Sequence, residues 1–355
     1  MTENPNAYVC IMAGGSGERF WPMSRQRTPK HLLKLFSDRT LVEDTVRRLD
    51  GVVPRENIFV LTNEAQLAGT RDALPFLKPE QIIAEPAKRD TAPAAALATG
   101  LVRARNPEAV VALLPADALI ENHAVFARQL SAALGRAAQS DAFVTFAIKP
   151  SFAATGFGYL EMGDTLPHVD GGGVCRKVNR FVEKPNVETA ERYVASGNYG
   201  WNAGVFIWRV SSFLREAEQH APELATFVRD LPAGDPTAFL AERFPALPKI
   251  SVDYAIMEKA ARVETVLAEY DWDDVGTWTA LPAHLPQDAA GNTLRGPVVA
   301  EDARNNIAFS NGRTIALLGV KDLVVVETPD AILVCHRDAT QHVKKLMPRL
   351  PKDVL

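Results

Sequence analysis

The chain has 355 residues, 47% hydrophobic and 23% charged, and 39 Lys and Arg against 43 Asp and Glu leave a net charge of −4. That length suits about two domains; the composition excludes fibrous and disordered classes, and the charge argues against a protein built mainly to bind nucleic acid. Three scattered cysteines, Cys10, Cys175 and Cys335, make neither a disulfide framework nor a zinc site and suit a reducing cytoplasm, while no signal pattern opens the chain and no run approaches the about 18 apolar residues of a membrane span.

Short apolar runs alternate with amphipathic ones over about the first 150 residues. Strands are predicted at Tyr8 to Ala13, Asn57 to Leu61, Gln81 to Ala84, Ala109 to Leu114 and Ala142 to Ile148. Helices are predicted at Thr40 to Leu49, Thr91 to Arg105 and His123 to Ala138. This rhythm predicts an α/β fold with a mixed, mainly parallel sheet covered by helices. The middle adds strands at 155–162, Arg176 to Glu183, Gly204 to Arg209 and Val263 to Ala268, with helices at Ser211 to His220, Pro222 to Arg229 and Asp253 to Ala260. The connector LPAHLPQDAAGN marks a boundary near residue 290. Beyond it come short strands and turns from Pro297 to Cys335, then a closing helix from Ala339 to Leu346. This division predicts a domain at 1–289 and a small β-rich domain at 290–355. No internal repeat is visible.

The first strand runs into Ala13-Gly14-Gly15-Ser16-Gly17-Glu18-Arg19-Phe20. Glycines after a strand let backbone N–H groups approach a phosphate chain. A P-loop needs Gly-Lys-Ser/Thr where Glu18 and Arg19 stand, and a dinucleotide fingerprint needs a small residue at Phe20. A nucleophile elbow needs glycine at Glu18. What remains is a glycine loop followed by Arg19, Arg25, Arg27 and Lys30, four cations that suit a triphosphate or form a solvated basic face.

The stretch AGGSGERFWPMSRQRTPKHLL resembles the opening signature of the sugar-nucleotide pyrophosphorylases, and its Trp-Pro-Met-Ser-Arg part resembles their mannose-1-phosphate guanylyltransferase branch. AEPAKRDTAPA (84–94), LLPADALI (113–120), TGFGYLE (155–161), FVEKPN (181–186), YGWNAGVFIWR (199–209), SVDYAIMEK (251–259) and WDDVGTW (272–278) resemble further segments of that family, in order. His31 replaces a usual glutamine, Asp90 an asparagine and Ala118 a histidine.

The resemblance implies a Rossmann-like nucleotidyltransferase domain, a short monofunctional form, a homodimer, and the reaction of GTP with mannose 1-phosphate to give GDP-mannose and pyrophosphate. Because a phosphate monoester is already an anion at neutral pH, no general base is needed, and none of the seven histidines falls in a catalytic pattern. The family pattern assigns Mg²⁺ to Asp117 and Asp274, the leaving charge to Arg19 and Lys30, and the sugar phosphate to Lys184. It implies nucleotide contacts from Ala13, Gly14, Gly15, Ser16, Gly17, Glu85, Arg89 and Thr91, and sugar contacts from Gly158, Glu183 and Asn202. Glu85 can accept from the two adjacent donors of guanine. Singly, Asp117 also fits a helix cap or turn, Asp274 a loop acid, Glu85 a strand-end acid, and Glu183-Lys184 a surface ion pair. Trp21, Trp201 and Trp278 read as packing residues rather than sugar platforms. Two other readings stand: an enzyme using another NTP and hexose phosphate, and a non-catalytic GDP-mannose-binding regulator. The segment after residue 290 has no histidine-rich pattern, so no isomerase activity is expected.

Overall fold

The computed structural model describes residues 3–167 and 171–355. Nine strands build one mixed sheet: β1 (Ala7–Met12), β2 (Ile58–Asn63), β3 (Ile82–Glu85), β4 (Val110–Pro115), β5 (Phe143–Ile148), β6 (Gly158–Thr165), β7 (Cys175–Glu183), β8 (Tyr199–Arg209) and β9 (Val263–Leu267). Their order is β3-β2-β1-β4-β8-β5-β9-β7-β6. Parallel pairing is confined to β3-β2-β1-β4 and to β5–β9; every other pairing is antiparallel. Strand β6 also returns to the start of β8, closing β8, β5, β9, β7 and β6 into a circuit.

Eight helices accompany the sheet: α1 (Leu41–Arg47), α2 (Leu67–Ala73), α3 (Thr91–Arg103), α4 (His123–Gln139), α5 (Val187–Ser196), α6 (Val210–His220), α7 (Pro222–Asp230) and α8 (Thr237–Arg243). Strand β1 shows why both faces must be covered. Tyr8 and Cys10 enter a core with residues of α3, α6 and α7, while Ala7, Val9 and Ile11 enter a second core with residues of α1 and α4. Alternate side chains point to opposite faces, so a strand buried on both reads as an unbroken apolar run. The sequence reading passes over α2, α5 and α8 and starts β8 five residues late. The segment expected as a helix from Asp253 is a single wide turn, Asp253–Met257.

From Thr293 the chain forms short stacked strands: β10 (Thr293–Arg295), β11 (Val298–Glu301), β12 (Ile307–Phe309), β13 (Ile315–Leu318), β14 (Leu323–Glu327) and β15 (Ile332–His336). β10, β12 and β14 pair in parallel, as do β11 and β13, and β15 adds an antiparallel edge. Buried asparagines join the coils. Asn306 donates its backbone N–H and its side-chain amide to Asn292 Oδ1, at 2.9 and 3.0 Å, and Leu323 N–H donates to Asn306 Oδ1 at 2.9 Å. The coils therefore repeat, against the reading of no internal repeat, because place in a coil rather than residue identity carries the period. These strands pack Ile307, Phe309, Val324, Val326 and Leu333 against Phe20, Trp21, Leu33, Leu35 and Trp278. Trp21 and Trp278 are thus core residues; Trp278 is fully buried and touches the rings of Phe20 and Phe309. No helix among the described residues is long and apolar enough to cross a membrane.

Candidate active site

Because β3, β2, β1 and β4 run parallel, their C-terminal ends share one edge, where ligands of open α/β sheets collect. The glycine loop leaves β1 there. The loop is tied down from behind: Ala13 N–H donates to Leu61 O at 2.7 Å, and the side chains of Asn63 and Gln66 donate to the carbonyls of Gly14 and Gly15 at 3.5 and 3.4 Å. The Ala13 N–H is therefore not free for a phosphate. The N–H groups of Gly14, Gly15, Ser16 and Gly17 have no protein acceptor among the described residues. Gly17 has φ +60°, and a Cβ there would lie 2.5 Å from Lys30 Cβ. Glycine is thus required twice over, for the turn and for the approach of Lys30. Gly17→Ala is expected to cost about 2 kcal/mol of stability through strain alone and to lower kcat at least tenfold by moving Lys30. Thermal unfolding and steady-state turnover check this, and a wild-type kcat would sink it.

Lys30 is 6% exposed. Its ammonium lies 3.0 Å from Asp117 Oδ2 and donates to the backbone carbonyl of Asp274. Burial works against ionisation of Asp117, but the charge and hydrogen bond of Lys30 outweigh it, and the carboxyl is held below its ordinary range. Burial pushes Asp274 the other way, with Lys30 and Arg19 only partly compensating. Asp274 precedes Val275, a β-branched residue at φ +46°, a strained conformation kept by burial and by its N–H donating to Asp273 Oδ1 at 2.7 Å. A Cβ on Gly276 would lie 3.3 Å from the Asp274 carboxylate and 3.5 Å from Arg19 Nη1, so both groups flank this glycine. His31, beside Lys30, is buried and lowered to about 4, hence neutral.

Asp274 also joins two cavities. One, of about 750 Å³, is lined by Arg19, Asp274, Gly276 and Gln341, with Trp201 and Trp272 on its walls. The other, of about 230 Å³, is lined by Thr91, Asp117, Gly158, Glu183, Asn202, Asp253 and Asp274. Asn202 is aimed by an irregularity in β8: Thr145 of β5 faces Phe206 and Ala147 faces Asn202, so β8 bulges around Gly204, at φ +71°. Asn202 Oδ1 lies 3.0 Å from the Thr145 hydroxyl and accepts from Gly204 N–H at 3.2 Å. Its carbonyl oxygen is occupied, and its amide has no protein acceptor among the described residues. Gly158, on the wall of this cavity, is also required to be glycine by its protein neighbours. A Cβ there would lie 2.6 Å from Glu183 Oε2 and 3.2 Å from the Phe181 ring, so the space is needed by protein. Lys184 donates to Glu183 Oε1 at 2.6 Å. Burial would lower the Lys184 ammonium, yet Glu183 and Asp253 outweigh it and raise it.

Glu85 stands across the loop, with its Oε2 3.7 Å from where a Gly14 Cβ would be. Burial raises it to about 8. Asp90 caps α3, accepting from Thr91 N–H at 2.8 Å, and Thr91 Oγ1 accepts from Val252 N–H. Arg89 is not brought into either cavity: its Nη2 donates to Pro245 O. Ser16 turns to Glu18 Oε1 at 3.2 Å. Sequence reasoning missed Asn63, Gln66 and Thr145, which only hold other groups, and Trp272, whose motif was in view. It also missed Asp253, which burial and then the Glu183 charge raise to about 7.

No group of three or more metal-ligating side chains forms among the described residues. Two carboxylates on one cavity nevertheless fit Mg²⁺, which uses one or two carboxylates and completes its shell with waters and substrate phosphates.

The nucleotidyl transferase family model matches residues 8–290, and a model described as MannoseP isomerase/GMP-like beta-helix domain matches residues 296–350. This chain belongs to the nucleotidyl transferase family. Within that family it is 38% identical to the mannose-1-phosphate guanylyltransferase of Escherichia coli, over 98% of this chain and 74% of that protein. It is 36% identical to the xanthan biosynthesis protein XanB of Xanthomonas campestris, over 96% of this chain and 72% of that protein. A crystal structure from Thermus thermophilus, described as a mannose-1-phosphate geranyltransferase, is 34% identical with a TM-score of 0.87, covering 97% of this chain and 99% of that one. A nucleotidyl transferase must bring two anions together; Arg19, Asp117 and Asp274 line the two adjoining cavities, while Lys30 and Lys184 line neither and reach them through their contacts with Asp117 and Glu183.

Proposed function

We propose that this nucleotidyl transferase moves GMP from GTP to mannose 1-phosphate. A phosphate oxygen of the sugar phosphate bonds to the α-phosphorus, the bond to the bridging oxygen breaks, and pyrophosphate leaves with the electron pair. The observation that carries the reading is Asp274, which borders both the cavity of Arg19 and the cavity of Glu183 and Asn202. Free amides of Gly14 to Gly17 and the charges of Arg19 and Lys30 hold the triphosphate. Lys184 holds the sugar phosphate; Glu183, Asp253 and Asn202 take hexose hydroxyls. Asp117 and Asp274 hold Mg²⁺, which when bound neutralises charge between the two anions. Positioning and charge neutralisation then supply the rate, as in phosphoryl transfer generally. In this reading residues 1–289 carry the chemistry and 290–355 brace it. A homodimer is supported by the exposed apolar Val299 and Leu318 on the outer face of β11 and β13, and a cytoplasmic setting by a nucleoside triphosphate substrate.

Base choice rests on Glu85, a carboxyl with no charged partner among the described residues, which burial raises to about 8. At pH 7 it is mostly protonated, whereas two guanine N–H donors favour its ionised form. GTP binding must therefore expel a proton, and KM for GTP is expected to fall as pH rises from about 6 to about 8. Glu85→Gln should flatten that profile and reduce kcat/KM for GTP about 10- to 100-fold. Turnover of mannose 1-phosphate with GTP, ATP, UTP and dTTP tests the whole reading. GTP preference is the expected result; preference for UTP or dTTP would overturn it.

A further inference from the structure

We infer that Gln341, from outside the stretch matched by the nucleotidyl transferase model, is the positioning residue for Arg19. The inference rests on the proposed role of Arg19 at the triphosphate. Arg19 follows the left-handed Gly17 in one short turn, Glu18–Phe20. Among the described residues its guanidinium has one hydrogen-bond partner, Gln341 Oε1, at 3.1 Å from Nη1. Gln341 lines the same cavity as Arg19 and Asp274.

The chemistry of the partner matters. A free arginine side chain carries about 2 kcal/mol of rotamer entropy, so an unanchored fork spends little time aimed at phosphate. A carboxylate anchor would hold it but would also compete for its charge. A glutamine carbonyl holds Nη1 and leaves that charge, with Nη2 and Nε, for the ligand.

The turn that carries Gln341 is fixed by its buried neighbours. Gln341 lies in the turns Arg337–Lys345, whose Thr340 and Val343 are buried, and Val343 packs in the core that includes Phe20 and Trp21. The loop bearing Arg19 makes three more hydrogen bonds to the C-terminal strands and turns, one of them from Arg25 Nη2 to Thr328 Oγ1 at 3.3 Å. Trp21 Nε1 donates to Val354 O at 2.8 Å, and Arg25 Nη2 donates to Asp330 Oδ1 at 2.7 Å. The stacked coils are thus a brace that reaches into the site through one side chain.

The test is a double-mutant cycle of Gln341→Ala and Arg19→Ala in the full chain, with kcat and both KM values measured. The Gln341→Ala variant should lose about tenfold in kcat, with KM for mannose 1-phosphate within twofold and the unfolding midpoint unchanged, since Gln341 is exposed. In the Arg19→Ala background the same change should alter kcat less than twofold. Equal losses in both backgrounds, or a wild-type kcat for Gln341→Ala, would overturn the inference. The unmodified enzyme separates the two readings. If it prefers another NTP, the proposed function fails, and the cycle run with that NTP still decides the role of Gln341.

Discussion

Asp274→Ala is expected to lower turnover at least a thousandfold while leaving the fold intact. Three features set that magnitude. The carboxylate borders both cavities, it flanks Gly276 together with Arg19, and it is one of two acids able to hold a divalent cation in the cleft. Removing a group that neutralises charge between two anions removes stabilisation made mainly in the transition state, so kcat should fall more than KM rises. Burial already opposes ionisation of Asp274, so its loss relieves the folded state, and the unfolding midpoint should be no lower than that of the wild type. Steady-state kinetics over a range of Mg²⁺ concentrations, with a thermal melt, give both readings. Normal turnover by Asp274→Ala would refute the metal assignment.

The second large effect is expected for Lys30→Met. One buried ammonium joins three pieces of chain: it pairs with Asp117, donates to the Asp274 carbonyl, and its stem packs on Gly17. Methionine keeps the stem and loses the charge. kcat/KM should fall at least a hundredfold, as when a preorganised donor is removed from an anionic site. Stability should fall as well. Lys30 holds the folded pKa of Asp117 below its ordinary value, so the pair stabilises the protein above that ordinary value, and the gain is lost as pH falls through the folded value. The Asp117 side chain is 43% exposed, so solvent screening limits the loss to about 1 kcal/mol at neutral pH. Urea unfolding followed from pH 7 to about pH 2, below the ordinary value of 3.8 for an Asp carboxyl, should show the difference between wild type and variant shrinking only below about pH 4. Activity within tenfold of wild type would remove Lys30 from the site.

Much of the fold was legible because it is local. The unbroken apolar run of Tyr8 to Met12, the start of α3 at Thr91 and the helix at His123 follow from side-chain pattern and helix-start chemistry. Helix α5 was missed although its signals are present: Asn186 caps it, and Gly197 ends it at φ +66°. Helix α2, with Gly69 and Thr70 inside it, has weak propensity and is made by its packing. In the site, residue types were legible and their partners were not. Arg89 donates to the carbonyl of Pro245, 156 residues away, a partner that no local pattern announces. That Gly158 leaves room for Glu183 was not legible either, because only the pairing of β6 and β7 sets the two opposite each other.

By itself the sequence determined a glycine loop rich in cations, scattered acids after strand ends, and an α/β rhythm followed by short strands. Each depends on neighbours within a few residues, where backbone stereochemistry and side-chain period act. Only the tertiary structure decided that Lys30 reaches Asp117 and Asp274, that the bulge in β8 turns Asn202 to the cleft, and that Gln341 holds Arg19. Those contacts depend on strand order and on where the C-terminal coils dock, and both are set by the burial of apolar surface shared across the whole chain.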